Sequence, residues 1–290
     1  MEILPQLVAS GLVNGAIYSL MAIGYVVIYK GTNVVNFAQG EAVMVGGYIA
    51  LVLYTVLGLP SYAVVPLAVV AAGFFWLALE RVAYRPLQEA PIFSLVIATF
   101  AVGLSLRNIA RLIFGPDIHH FPPLFSTAPV RFGTVYLNRQ SVWIVLISVA
   151  SAGLLLLCFR VTRVGKAMRA VSQNRDAAWI VGIPVTRYFA LIWGLGSAFG
   201  ALGGVLLAPL VILHPEMGWV AIKAFAVAIL GGFESLAGAV VGGLLLGVVE
   251  NLAGFYVSSH IKDIVAFLVM IAVLCIRPTG LFGEAAITKV

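Results

Sequence analysis

Eight apolar stretches of spanning or near-spanning length divide this chain: Leu7–Tyr29, Ala38–Leu57, Tyr62–Leu79, Ile92–Phe114, Val142–Phe159, Tyr188–Leu213, Leu236–Val257 and Ile264–Ile276. A helix needs about 20 apolar residues to cross a hydrocarbon core, where no water is present to satisfy its backbone groups. A further stretch, Ala221–Leu230, would cover roughly 15 Å as helix, about half the core. It predicts a half-helix, or a span completed by its flanks. Hydrophobic residues make up 62% of the chain and charged residues 10%, too little polar surface for a fold in water. The predicted class is an all-α polytopic membrane bundle, one domain over residues 1–290, with eight or nine transmembrane segments and broken helices.

Charge sets the expected orientation. Residues 160–187 hold Arg160, Arg163, Lys166, Arg169, Arg175 and Arg187, six of the 17 basic residues. Basic loops stay in the cytoplasm, so this one is predicted to lie inside. Counting outward, Lys30, Arg81, Arg85 and Arg277 also fall inside, while the N-terminus and the loop at about 115–140 fall outside. An external N-terminus and a cytoplasmic C-terminus require an odd number of crossings, which makes the short segment the ninth. Arg107 and Arg111 then lie near the outer surface, where snorkelling along the helix end accommodates them. The first apolar run follows an acidic rather than basic start and is too long for a signal peptide, so it reads as a retained span.

The pI of about 9.5 is accounted for by orientation. No basic stripe interleaved with aromatics points to nucleic acid. Cys158 and Cys275 stand apart from any metal-ligand spacing and read as buried free thiols. The adjacent His119 and His120 on an irregular loop are a poor metal site, so no metal is assigned; that loop is better read as a rim for an external protein.

The stretch "GKAMRAVSQNRDAAWIVGI", residues 165–183, gathers charge between two long apolar runs. Read as one helix over 165–182, it places Lys166, Arg169, Gln173 and Asp176 on one face. Met168, Val171 and Ala178 lie opposite, with Arg175 interrupting the apolar side. Gly182 and Pro184 supply a stop. Enforcing topology is one reading; an amphipathic helix laid on the membrane or in a partner's groove is the other.

Glu41, Glu234 and Glu250 fall in or beside apolar runs, where a carboxylate costs about 3 kcal/mol. Such residues face a water-filled pathway or the bundle interior. Glu41 and Glu234 also suit helix first turns, where the dipole favours them. Glu250 is read either as a transport residue or as hydrogen-bonded to Asn14 or Asn251. Glycines four apart at 11/15, 196/200/204 and 243/247 permit close helix packing. The Gly231–Gly232 pair predicts a break of the kind that marks binding regions in transporters. No GxxxxGK(S/T), HExxH, GxSxG or CxxC pattern occurs, so neither a nucleotide site nor a catalytic centre is expected.

Four ordered segments, "NVVNFAQGEAVMVGGYIA", "GKAMRAVSQNRDAAWIVGI", "AFAVAILGGFESLAGAVVGGLLLGVVE" and "RPTGLFGE", resemble the permease subunits of branched-chain amino acid ABC transporters. The likeness runs from about Leu7 to Glu284, and the first segment is most similar to the shorter of two permease types that pair as a heterodimer. The resemblance implies a non-catalytic subunit of a bacterial or archaeal inner-membrane importer. Its partners would be a second permease, two cytoplasmic ATP-binding subunits that hold ATP and Mg, an external substrate-binding protein and membrane lipid. Substrate, a small amino acid, would pass along Asn36, Gln39, Glu41, Gly231, Gly232 and Glu234. Gly165, Lys166, Met168, Arg169, Asn174, Arg175 and Gly182 would dock on the ATPase. Gln39, where many relatives carry His, and the acid at Glu234 are departures that bear on substrate, leaving urea, short amides or aromatic acids as alternatives. A self-sufficient channel or ion-coupled carrier, with the three glutamates as ion sites, is the reading from another class.

Overall fold

The computed structural model describes residues 3–258 and 261–283. Its helices are α1 (Ile3–Thr32), α2 (Gln39–Leu51), α3 (Ser61–Leu79), α4 (Ile92–Phe114), α5 (Arg139–Val161), α6 (Arg163–Gln173), α7 (Arg175–Ile180), α8 (Val185–Leu207), α9 (Val220–Gly231), α10 (Leu236–Tyr256) and α11 (Lys262–Ile276). Among the described residues, seven segments are long and apolar enough to cross a membrane: α1, α2 with its continuation to Val56, α3 with its continuation to Leu87, α4, α5, α8 and α10. The other two apolar runs form the shorter helices α9 and α11, the latter about 22 Å long. The eighth predicted span is thus shorter than a full crossing, and the sixth ends at Leu207 rather than Leu213.

Helix α1 is the central post. It packs on α10, α8, α9 and α5, and from Ala16 to Ile28 its side chains are buried. Small residues make this possible: a Cβ on Gly15 would stand 2.6 Å from the carbonyl oxygen of Gly243 on α10. That close backbone approach realises the glycine spacing seen in the sequence. The outer helices α3, α4, α5 and α11 instead expose large apolar side chains such as Phe74, Leu112, Leu154 and Ile271, the surface a bilayer would cover.

The start of α1 and the loop after α4 share one end of the bundle. That loop carries a small antiparallel hairpin, β1 (Pro129–Phe132) with β2 (Val135–Asn138), which the apolar pattern did not announce. Gln6 Nε2 donates to the carbonyl of Tyr136 at 2.8 Å and Gln6 Oε1 accepts from its N–H. The backbone of His119 pairs with that of Leu213. At the other end lie the C-terminus of α1, helices α6 and α7, and the α9–α10 turn. There Gly232 adopts φ +95°, and the N–H groups of Leu281 and Phe282 donate to the carbonyls of Leu230 and Gly231. Much of the "RPTGLFGE" segment therefore closes this turn; Glu284 lies outside the described residues, as does Glu2 of the acidic start.

Two helices start inside the bundle. After α1, residues 33–38 turn back, with Asn33 at φ +55°, so that Gln39 opens α2 beside Gly24, roughly 12 Å back along α1. After α8, the chain re-enters through a short 3-10 turn, Met217–Trp219, that leads into α9. The two starts touch: a Cβ on Gly40 would stand 2.7 Å from the carbonyl oxygen of Gly218, and the reverse distance is also 2.7 Å. Any side chain at either position would push these N-termini apart.

The loop predicted as one helix over 165–182 is two. Asn174 is extended (φ −158°, ψ 108°) and its side chain accepts from Ala177 N–H, because Asn caps a new helix better than it continues an old one. Thr162 caps α6 in the same way through Gly165 N–H. The two faces survive the break, with Met168, Val171 and Ala178 buried and Lys166, Arg169, Gln173 and Asp176 exposed. Gly182, at φ +82°, closes the segment.

Candidate functional site

A cavity of about 510 Å³ opens where the two helix starts meet, bounded by α1, α2, α4 and α9. Aromatic rings of Tyr25, Phe37, Phe100, Trp219 and Phe225 line it together with aliphatic residues and glycines, and its charged groups are Glu41 and Arg107. Glu41 lies in the first turn of α2, where the helix dipole favours a carboxylate. Arg107 reaches from α4 to place Nη2 2.5 Å from Glu41 Oε1, with its guanidinium 5.6 Å over the Trp219 ring. Arg107 therefore points into the bundle instead of snorkelling outward, because a buried carboxylate offers compensation that lipid does not.

Asn36 and Gln39 are fully buried behind this cavity. Asn36 Oδ1 accepts from Ala38 N–H, Asn36 Nδ2 donates to Gln39 Oε1, and Gln39 Nε2 donates to Gly196 O at 3.0 Å. Phe37 N–H donates to Thr99 Oγ1 on α4. These contacts hold the returning segment and so aim Glu41. Gly231, Gly232 and Glu234 are elsewhere, at the α9–α10 turn near the far end; Glu234 is exposed and its backbone carbonyl accepts from Lys30 Nζ at 2.9 Å. The six residues assigned to one pathway thus divide between two places.

The loop residues converge on the end of α1. Ser172 Oγ donates to the Lys30 carbonyl and Arg175 Nη2 to the Thr32 carbonyl at 2.9 Å, while the Arg175 guanidinium sits 5.2 Å over Phe189 of α8. Burial pulls the Arg175 pKa below its usual value, opposed by Asp176 beside it. This explains the residue that interrupts the apolar face. Gly165 and Met168 are buried, whereas Lys166 and Arg169 remain exposed.

A second buried ion pair lies outside the cavity. Lys223 of α9 places Nζ 2.6 Å from Glu250 Oε1 on α10 and 2.7 Å from Asp263 Oδ1 on α11. Glu250 is thus bound to Lys223, not to Asn14 or Asn251; Asn251 Nδ2 donates to the Leu7 carbonyl instead. Nearer the hairpin end, Arg111 bonds Glu216, which also lies 3.3 Å from His214 Nδ1. The Arg111 hydrogen bond holds the Glu216 carboxyl below its usual pKa.

Arg107, Trp219 and Lys223 were the residues that reading the sequence missed. The available signal was charge pairing: an acid in one apolar run implies a base in another, but periodicity cannot say which.

The chain has known relatives. The chain matches the family described as "Branched-chain amino acid transport system / permease component" over residues 7–274. It belongs to that family. It is 34% identical to the high-affinity branched-chain amino acid transport system permease protein LivH of Escherichia coli, over 98% of this chain and 97% of that one. It is 35% identical to the corresponding BraD of Pseudomonas aeruginosa, again over 98% and 97%. A probable LivH of Methanocaldococcus jannaschii is 31% identical over 91% and 88%. Among solved structures, PsaBC from Streptococcus pneumoniae in complex with Fab superposes with a TM-score of 0.50 at 15% identity, covering 94% of this chain and 92% of that one. That likeness concerns the fold alone.

Proposed function

We propose that this multi-pass membrane protein is the permease subunit of an ATP-driven importer of branched-chain amino acids, forming half of the translocation pathway. The observation that carries this is the cavity where two helix starts meet inside the bundle, with a charge pair on an otherwise uncharged, largely apolar wall. Irregular backbone at membrane depth is tolerated where it is covered by protein or lines a cavity, the design of transporter binding regions. A second permease would close the open side of the cavity. An external binding protein would deliver substrate at the hairpin end.

Two cytoplasmic subunits holding ATP and Mg would dock on α6–α7, where Lys166, Arg169 and the exposed Trp179–Val181 tip project. Force on these helices would reach the end of α1 through Ser172 and Arg175, and from there the returning segment that aims Glu41. Of the buried glutamates, Glu41 and Glu250 already have cationic partners and Glu80 accepts from Gln88 Nε2, which disfavours Glu41 and Glu250 as ion-coupled carrier sites. The test is uptake of labelled leucine by the complex reconstituted with its ATP-binding subunits and binding protein. Uptake is expected only with ATP; uptake by this chain without ATP or partners would make it a carrier. Arg175→Gln should leave ATP hydrolysis running while uptake falls, and normal uptake would reduce the loop to an orientation anchor.

A further inference from the structure

We propose that Glu41 and Arg107 together form a recognition site for an amino-acid zwitterion, Arg107 taking the α-carboxylate and Glu41 the α-ammonium. This rests on the cavity being the translocation pathway. In the structure the pair is only partly engaged. Arg107 Nη2 binds Glu41 Oε1, yet Arg107 Nε is buried without a hydrogen-bond partner among the described residues. The other carboxylate oxygen, Glu41 Oε2, rests against Gly103, where a Cβ would come within 3.0 Å of it. The cavity volume lies within the range of small-molecule sites, about 300–1,000 Å³. Phe37, Phe225 and Ile222 supply an apolar surface for a side chain.

Exchange of partners explains why such a pair suits a pathway. A zwitterion inserted between the two groups replaces one ion pair with two, so neither buried charge is left uncompensated at any stage. Urea and short amides bring no charge, and an aromatic acid without an amine brings only one. Each would separate Glu41 from Arg107 and leave at least one of them unpaired, the strongest form of discrimination a polar site has. The geometry therefore selects free amino acids over the amide and organic-acid alternatives.

The test is leucine uptake by the reconstituted complex carrying Glu41→Gln, Arg107→Gln, or both, with Arg107→Lys as the conservative variant and intact purification of the complex as the folding control. Each neutral single variant should lower the initial rate roughly tenfold or more, and the neutral double should be no better than the worse single. Recovery of uptake in the double would show that the pair only ties α2 to α4 and would overturn the proposal. A parallel arm introduces Ile222→Cys in a background where Cys158 and Cys275 are Ser, and labels it with a bulky thiol reagent. If the label leaves uptake unchanged, the cavity is not the pathway and the inference fails with it; if it blocks uptake while the double variant recovers, the pathway stands and recognition alone fails.

Discussion

Among the described residues, two charge pairs lie between the helices of this bundle, and their surroundings differ. Glu41 and Arg107 face a cavity on one side, with aromatic rings around them and Arg107 22% exposed along its side chain. Lys223 and Glu250 sit among α1, α9, α10 and α11, with Lys223 5.9 Å over the Tyr18 ring and a second bond to the exposed Asp263. The first pair has space beside it that a third molecule can enter. The second joins three helices, and neither of its residues lines that cavity. On the proposed reading the same chemistry serves exchange in one place and fastening in the other.

Removing one partner from the pair that joins three helices should have the largest effect on stability. Lys223→Ala is expected to cost about 3–5 kcal/mol, read as a drop in the thermal midpoint of the purified complex, and Lys223→Met with Glu250→Leu should restore most of it. If the double is as unstable as the single, the pair is not what holds α9 to α10. Gly40→Val should come next, since it separates the two helix starts that frame the cavity. Overpacking of this kind costs about 1–3 kcal/mol, and uptake should fall with it; a variant with normal uptake would mean the contact with Gly218 is dispensable.

Glu41→Gln reverses the order of readouts. Its stability loss should stay at about 1–2 kcal/mol, because Arg107 keeps access to the cavity, while uptake collapses. Equal losses at both pairs would erase the contrast drawn between them. Arg111→Gln, at the partly exposed pair with Glu216, should change stability by less than about 1 kcal/mol. The Glu216 carboxyl has a depressed pKa in the folded state, so its contribution is present above the ordinary carboxylate value of about 4.3 and disappears as pH falls through the depressed one. A wild-type melting curve whose pH dependence is unchanged in Arg111→Gln through that acid range would remove this assignment.

Much of the architecture was legible in residue order. Hydrophobic length located nine apolar helices but counted α11 among eight spans where the described residues hold seven; the glycine spacing announced close packing of the kind found between α1 and α10, and Gly231–Gly232 marked the turn between α9 and α10. The helix break at Asn174 was not read, because a wheel tests which residues share a face and is blind to one residue leaving helical geometry. The hairpin escaped for a related reason, its strands being four residues each and too short to show alternation.

Length, hydropathy and charge alone determined that this chain is a membrane bundle with one strongly basic loop, because those properties depend on the solvent each segment can tolerate. Which acid meets which base was decided only in three dimensions. Glu41 and Arg107 are 66 residues apart, Lys223 and Glu250 are 27 apart, and nothing local links them. Their pairing depends on two helices starting inside the bundle, and those starts exist because Gly40 and Gly218 let one backbone rest against the other.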